Sequence, residues 1–241
     1  MQKIEIRQRC LPSGYHMKAF FIDERPLSAY MDEWIAGNEA LEYLLPCEGL
    51  EICWTDEYDY EGDARFMRFV LNRQDAITPI LSCPDDMDFS CIVIVADVLK
   101  QGDTVIWKRI GLVDHSYESF EVEKSRGIAF AEAYSEEDRV RYGGQPELTK
   151  VGSPAWNKWT GKNWEEELYR RRVNYTFPYY QDETHIQWLA DCHFVFHRRE
   201  YDAVVELCYK ENNYNCKRKP RQKAVGALLC INRGLVKLYG V

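Results

Sequence analysis

The run FSCIVIVADVLKQGDTVIWKRIG, Phe89 to Gly111, decides the fold. It reads as two strands joined by a tight turn. Ser90 to Val98 is an almost unbroken β-branched and apolar stretch, which suits a strand covered on both faces. Lys100 to Asp103 supplies the Gly and Asp that a turn needs. Thr104 to Ile110 resumes the strand. Strict alternation puts Val105, Trp107 and Arg109 on one side and Ile106, Lys108 and Ile110 on the other. Because one face is then mixed, this second strand is expected near an edge or a domain contact.

Upstream, the same period recurs. Ile4 to Arg9 alternates apolar and polar residues, Leu11 to Gly14 is a turn, and Tyr15 to Ile22 is a second strand, so a hairpin is expected. Ser28 is placed to cap a helix through Met31, Trp34 and Ile35 that ends at Gly37. Leu50 to Trp54 reads as a strand, Ala64 to Asn72 as another, and Ile77 to Leu81 as an edge strand because of Pro79.

Beyond this region the pattern changes. Tyr142 to Pro154 carries three Gly and two Pro and is the best boundary. Trp156, Trp159 and Trp164 follow, and EEELYRRR, Glu165 to Arg172, sets acids before bases as a helix favours. His185 to His197 and Glu200 to Glu211 read as a helical hairpin with Trp188, Leu189, Cys192, Val195 and Phe196 on one face. It is similar to one tetratricopeptide repeat, taken as local geometry because such repeats need about three units for stability. Ala224 to Tyr239 is expected as a final helix. The expected fold class is α+β. A mainly antiparallel, β-rich acidic region over 1–145 packs on a helical region over 153–241, as one globular unit, with the Trp cluster at the junction.

Net charge is −8 over 241 residues, but it is unevenly placed. Residues 151–241 hold 15 Lys and Arg against 10 Asp and Glu, a balance of +5, which leaves −13 for the rest. Phosphates need a basic surface, so nucleic acid is not the expected partner of the N-terminal part. An acidic surface steers a basic protein. The aromatic content, with 7 Trp and 16 Tyr, suits a core first and an interface second.

The nine Cys are an odd number with no C-x-x-C pair. Cys53 and Cys91 lie in apolar runs, as buried free thiols do. The N-terminal MQKIEIRQRC lacks the apolar run of a signal peptide, and no segment has the apolar length to cross a bilayer. A reducing cytoplasm and no membrane partner are expected. The oligomeric state is left open.

The candidate contact surface is TDEYDYEGD, Thr55 to Asp63, where five carboxylates alternate with Tyr58 and Tyr60. The acids do not fit a calcium loop, since the Gly follows Glu61 and no Glu stands at the twelfth position. The residues assigned to partner binding are Asp56, Glu57, Tyr58, Asp59, Tyr60 and Glu61. Cys192, His193 and His197 invite a metal reading, but the i,i+4 pair His193 and His197 lacks a third ligand at proper spacing, and the basic run Asn212 to Gln222 reads as a solvated loop. There is no Gly-rich phosphate loop, G-x-S-x-G, H-E-x-x-H or dinucleotide fingerprint. No catalytic residue, metal ligand or cofactor is assigned.

ILSCPDDMDFSCIVIVADVLKQGDTVIWKRIG and the later NWEEELYRRRVNYTFPYY resemble uncharacterised bacterial proteins, some of which lie beside secreted polymorphic toxins as candidate immunity proteins. The resemblance spans residues 41 to 182 and carries no functional residues over. It implies a cytosolic bacterial protein without catalysis that binds and occludes a basic cognate toxin. Two rival readings are a scaffold that docks peptides on the helical hairpin, and a small enzyme whose site is assembled from residues distant in sequence.

Overall fold

A computed structural model describes residues 1–58, 61–84, 89, 91–114 and 177–210, together with Pro154, Lys158 and Lys162. The backbone alone is described at 61–63, 65 and 210. The boundary 142–154 (Pro154 apart), the Trp cluster, the charged helix, the basic run and the final helix all lie outside these residues.

The hairpin forms as the alternation predicts, from β1 (Ile4–Cys10) and β2 (His16–Ile22), with Ile4 opposite Ile22. A two-residue β3 (Arg25–Pro26) completes a three-stranded antiparallel sheet. Helix α1 (Leu27–Ile35) follows. Its N-cap residue is Pro26, without a side-chain cap. Ser28 is buried and accepts a hydrogen bond from Arg9 Nη1 at 3.0 Å, so it ties α1 to β1 instead of capping the helix.

Among the described residues the second sheet has six strands, all antiparallel. A short β4 (Glu51–Ile52) is all that forms of the expected strand over Leu50 to Trp54. It pairs with the end of β5 (Asp75–Ser82), which pairs with β6 (Val93–Gln101), which pairs with β7 (Thr104–Val113). Gly102, at φ +55°, makes the turn between the two long strands. Strand β7 is interior. Its second half pairs with β8 (Ile186–Ala190) and its first half with β9 (Phe194–His197).

Those two strands correct the expected helical hairpin. Ile186 and Trp188 alternate in β8, while Phe194 and Phe196 are both buried in β9. That period of two beats the helical reading because β7 offers an unpaired edge to both segments. Only the second half becomes a helix, α4 (Arg198–Lys210), with Tyr201, Val204 and Cys208 buried at helical spacing. The tetratricopeptide likeness goes with the hairpin.

Residues 64–72 are corrected in the opposite direction. They belong to α2 (Glu61–Leu71), where Phe66, Met67, Val70 and Leu71 bury one stripe at three- and four-residue spacing. A five-residue α3 (Phe177–Gln181) precedes β8. For part of its length β5 is the edge that Pro79 foretold, since β4 pairs only with Leu81 and Ser82. The Gln181 side chain serves its outer side. Gln181 Oε1 accepts from the Ile77 N–H at 2.8 Å, and Nε2 donates to the Ile77 carbonyl at 2.9 Å.

The core is aromatic at its centre. Trp54, Trp107, Tyr201, Phe20 and Phe196 are all at most 1% exposed. Trp107 meets Phe20, Trp54, Phe196 and Tyr201 edge to face, with centroids 5.4–6.3 Å apart. Trp54 Nε1 donates to the Pro79 carbonyl at 3.0 Å. One ring cluster thus joins β2, β7, β9 and α4.

Candidate functional site

The acidic run is partly tied into the molecule. The Asp56 carboxylate receives a forked pair of hydrogen bonds from Arg68 of α2, one of them Nε to Oδ1 at 2.7 Å. The Asp56 hydrogen bond raises the Arg68 pKa, and the guanidinium lies 4.3 Å over the Tyr209 ring. The Asp56 side chain keeps 45% of its surface exposed. Tyr58 turns inward. Its hydroxyl donates to the Cys53 carbonyl, and its ring sits 5.2 Å from Phe89. The Glu57 N–H donates to Thr55 Oγ1 at 3.0 Å. Glu61 opens α2, while Asp59 and Tyr60 lie outside the described residues.

Asp56 and Glu57 end a longer acidic tract that the sequence reading passed over. Residues 23–58 hold ten Asp and Glu and a single Arg or Lys, Arg25. Glu33, Glu39 and Glu42 are exposed along α1 and the 3-10 turn Glu39–Leu44. Charge counted in a short window would have revealed this tract. Counting by halves dilutes it.

A second site was not foreseen. It is a cleft of about 550 Å³ between β5, the middle of β7, the end of α3 and the β8–β9 turn. A β-bulge builds its floor. Ala96 stands opposite Ile110, and Val98 opposite Trp107, so one residue of β6, Asp97, faces two of β7, Lys108 and Arg109. The bulge breaks the alternation expected from sequence and lets both basic side chains reach the Asp97 carboxylate. Lys108 Nζ lies 3.1 Å from Asp97 Oδ1, and Arg109 Nη2 lies 2.8 Å from Oδ2.

Arg109 is held on three sides. It forks onto Glu183 with bonds of 2.9 and 2.8 Å, reaches Asp97 through Nε and Nη2, and lies 4.0 Å over the Trp188 ring. The Glu183 hydrogen bond raises the Arg109 pKa first, with Asp97 adding to it; in return Arg109 lowers that of Glu183. Burial works against the Lys108 ammonium, but Asp97 and Asp75 outweigh it and its pKa is raised. Such a network is weak evidence for stability, because each pair must recover what its groups lost in leaving water.

The cleft is built to hold charge. None of its described lining residues is a Ser, Thr, Cys or Tyr that would act as a nucleophile. Cys192, beside it, donates its thiol to the Trp107 carbonyl at 3.3 Å, and burial pushes its pKa up to about 11, away from the reactive thiolate. Cys53 is buried and its thiol pKa is raised well above normal, chiefly by burial; Cys91 is half-buried. No group of three His, Cys, Asp or Glu suited to a metal occurs among the described residues, and none of their helices is long and apolar enough to cross a membrane. No known protein family, curated protein or solved structure matches this chain.

Proposed function

We propose that this chain is an immunity or antitoxin-like protein that works without catalysis, by binding and occluding a basic protein partner. The observation that carries the reading is the acidic tract of residues 23–58, ten carboxylates against one basic residue along the chain; Glu24, Glu33, Glu48 and Asp56 pair with Arg7, Arg25, Arg9 and Arg68, and the other six carboxylates keep the tract acidic. Asp56, Glu57 and Tyr58 close that tract, Asp59, Tyr60 and Glu61 follow it, and all six stay assigned to the contact. Within it Asp56 plays two parts, since it anchors Arg68 and also presents an exposed carboxylate. Tyr58 supports the loop from inside. A field of one sign speeds encounter with a partner of the other sign and is screened by salt.

The test begins with affinity capture from a bacterial host at low and moderate salt, followed by reconstitution with the purified partner. The expected result is one stoichiometric basic protein whose association slows as salt rises, and whose toxicity or enzymatic activity is abolished in the complex. A variant with Asp56, Glu57, Asp59 and Glu61 changed to Asn or Gln should associate about tenfold more slowly and with a flatter salt dependence. Association that is independent of salt, or a partner that stays fully active when bound, would overturn the reading.

The scaffold alternative has lost its helical hairpin to β8 and β9. An enzyme whose site lay in this cleft would need an activated nucleophile or base there, and among the described lining residues Asp97 and Glu183 are held in ion pairs with Lys108 and Arg109.

A further inference from the structure

We infer that the cleft over the β6–β7 bulge receives a basic side chain of the partner, an arginine or a lysine. The inference rests on the binding reading above and gives it a second, concave contact. Three observations lead to it. The first is shape: about 550 Å³ lies within the range of clefts that hold small ligands, room for a side chain and part of the peptide that bears it.

The second is charge. Asp75, Asp97, Glu183 and Asp191 line the cleft against Lys108 and Arg109, an excess of two acids over Lys and Arg. Both cations are already engaged. Arg109 spends Nε and both Nη on Asp97 and Glu183, and Lys108 is shared between Asp97 and Asp75. An entering anion would have to break one of these pairs. An entering cation meets the carboxylates at the rim: the Asp75 side chain is 65% exposed, at 3.3 Å from Lys108, the longest contact in the network, and Asp191 is exposed on the β8–β9 turn.

The third is rigidity. The rim is held on both sides before any ligand arrives. Gln181 pins α3 to Ile77 beside Asp75. Across the cleft, the His193 N–H donates to the Lys108 carbonyl at 3.1 Å, so the turn carrying Asp191 is fixed to β7. His193 sits at φ +49°, a conformation that a non-glycine residue adopts only when its surroundings hold it there. A preorganised acidic rim binds a cation without first ordering itself.

The test uses the whole chain and two defined probes, N-acetyl-arginine methylamide and its lysine counterpart, cations with no carboxylate of their own. Backbone NMR should show saturable shifts confined to the amides around Ile77, Lys108 and His193. The double variant Asp75→Asn/Asp191→Asn should weaken binding about tenfold for the probe and for the purified partner. Glu200→Gln/Glu206→Gln, which changes charge by the same amount on α4, outside both the cleft and the acidic tract, should leave probe binding unchanged. Equal loss in both variants would mean general electrostatic attraction and would overturn the inference, as would the absence of shifts at saturating probe. A partner that binds the Asp75/Asp191 variant normally would also overturn it, yet leave the proposed function standing. An inability to bind any basic protein would remove the proposed function instead.

Discussion

Strands β6 and β7 have two faces, a dry one and a wet one. On the first, Val98, Val105, Trp107 and Ile110 are all at most 2% exposed, and the Trp107 ring meets rings from β2, β9 and α4. On the second, Asp97, Lys108 and Arg109 make an ion-pair network at the floor of a cleft. The apolar face draws its energy from area removed from water and from ring packing, which are non-directional and large. The charged face draws on direction, since each pair must recover what its groups lost in leaving water. The first should govern whether the chain folds, and the second what it recognises.

The largest break in that contrast is Trp107→Ala. It removes the ring that four others touch and should cost about 3–5 kcal/mol, read as a shift in the denaturant midpoint with little change in slope. A loss below about 1 kcal/mol would show that the cluster repacks without it. Asp97→Ala comes next. It strands Lys108 and Arg109, but Asp75 and Glu183 remain to hold them, so about 3 kcal/mol is expected, the low end for a broken buried pair. Lys108→Met combined with Asp97→Ala should restore part of the loss, because no ammonium is then left facing an empty place.

Gly111→Ala tests the seam between the two faces. A Cβ there would come within 2.6 Å of the Ile186 Cγ2 and 2.9 Å of the Trp188 ring, so β8 must shift. About 1–3 kcal/mol is expected, together with weaker cation binding, because Trp188 backs Arg109. Unchanged cleft binding would separate the β8 seam from the site.

The smallest effect concerns Lys100, a charge placed in the dry region. It is 8% exposed, donates to the Leu71 carbonyl at the end of α2, and faces the Tyr201 ring at 5.6 Å. Burial lowers its pKa from 10.5 to about 8, with Arg198 adding to the effect. Between pH 8 and 10.5 the unfolded chain therefore binds more protons at this site than the folded one, and the contribution of Lys100 to stability rises across that window. The stability of the native chain minus that of Lys100→Met should climb from pH 8 to 10.5; a flat difference would mean that the ammonium is solvated after all.

Local pattern announced the elements whose signals were mutually consistent. The first hairpin, α1 and the long pair β6 and β7 follow from alternation and turn residues within a few positions of one another. Residues 64–72 and 186–197 were misread in opposite directions. In both, aromatic and apolar residues satisfy a period of two and a period of 3.6 at once, and the neighbour decides between them. Phe66 with Val70 becomes a helical stripe because α2 packs along β5, while Phe194 with Phe196 becomes a strand because it pairs with the first half of β7. Of the acidic loop, the charge was legible. The inward turn of Tyr58 and the pairing of Asp56 with Arg68 were not, since those partners are set by where α2 begins and how it packs.

The sequence by itself determined the class, mixed α and β with antiparallel sheets, because alternation, turn chemistry and charge distribution are local properties of the chain. The tertiary structure alone decided the site. The cleft needs Asp75 and Asp97 from one hairpin, Lys108 and Arg109 brought to one side by a bulge, and Glu183 and Asp191 from a segment some eighty residues later. A bulge is a two-against-one count between strands, so no stretch of either strand read alone could reveal it.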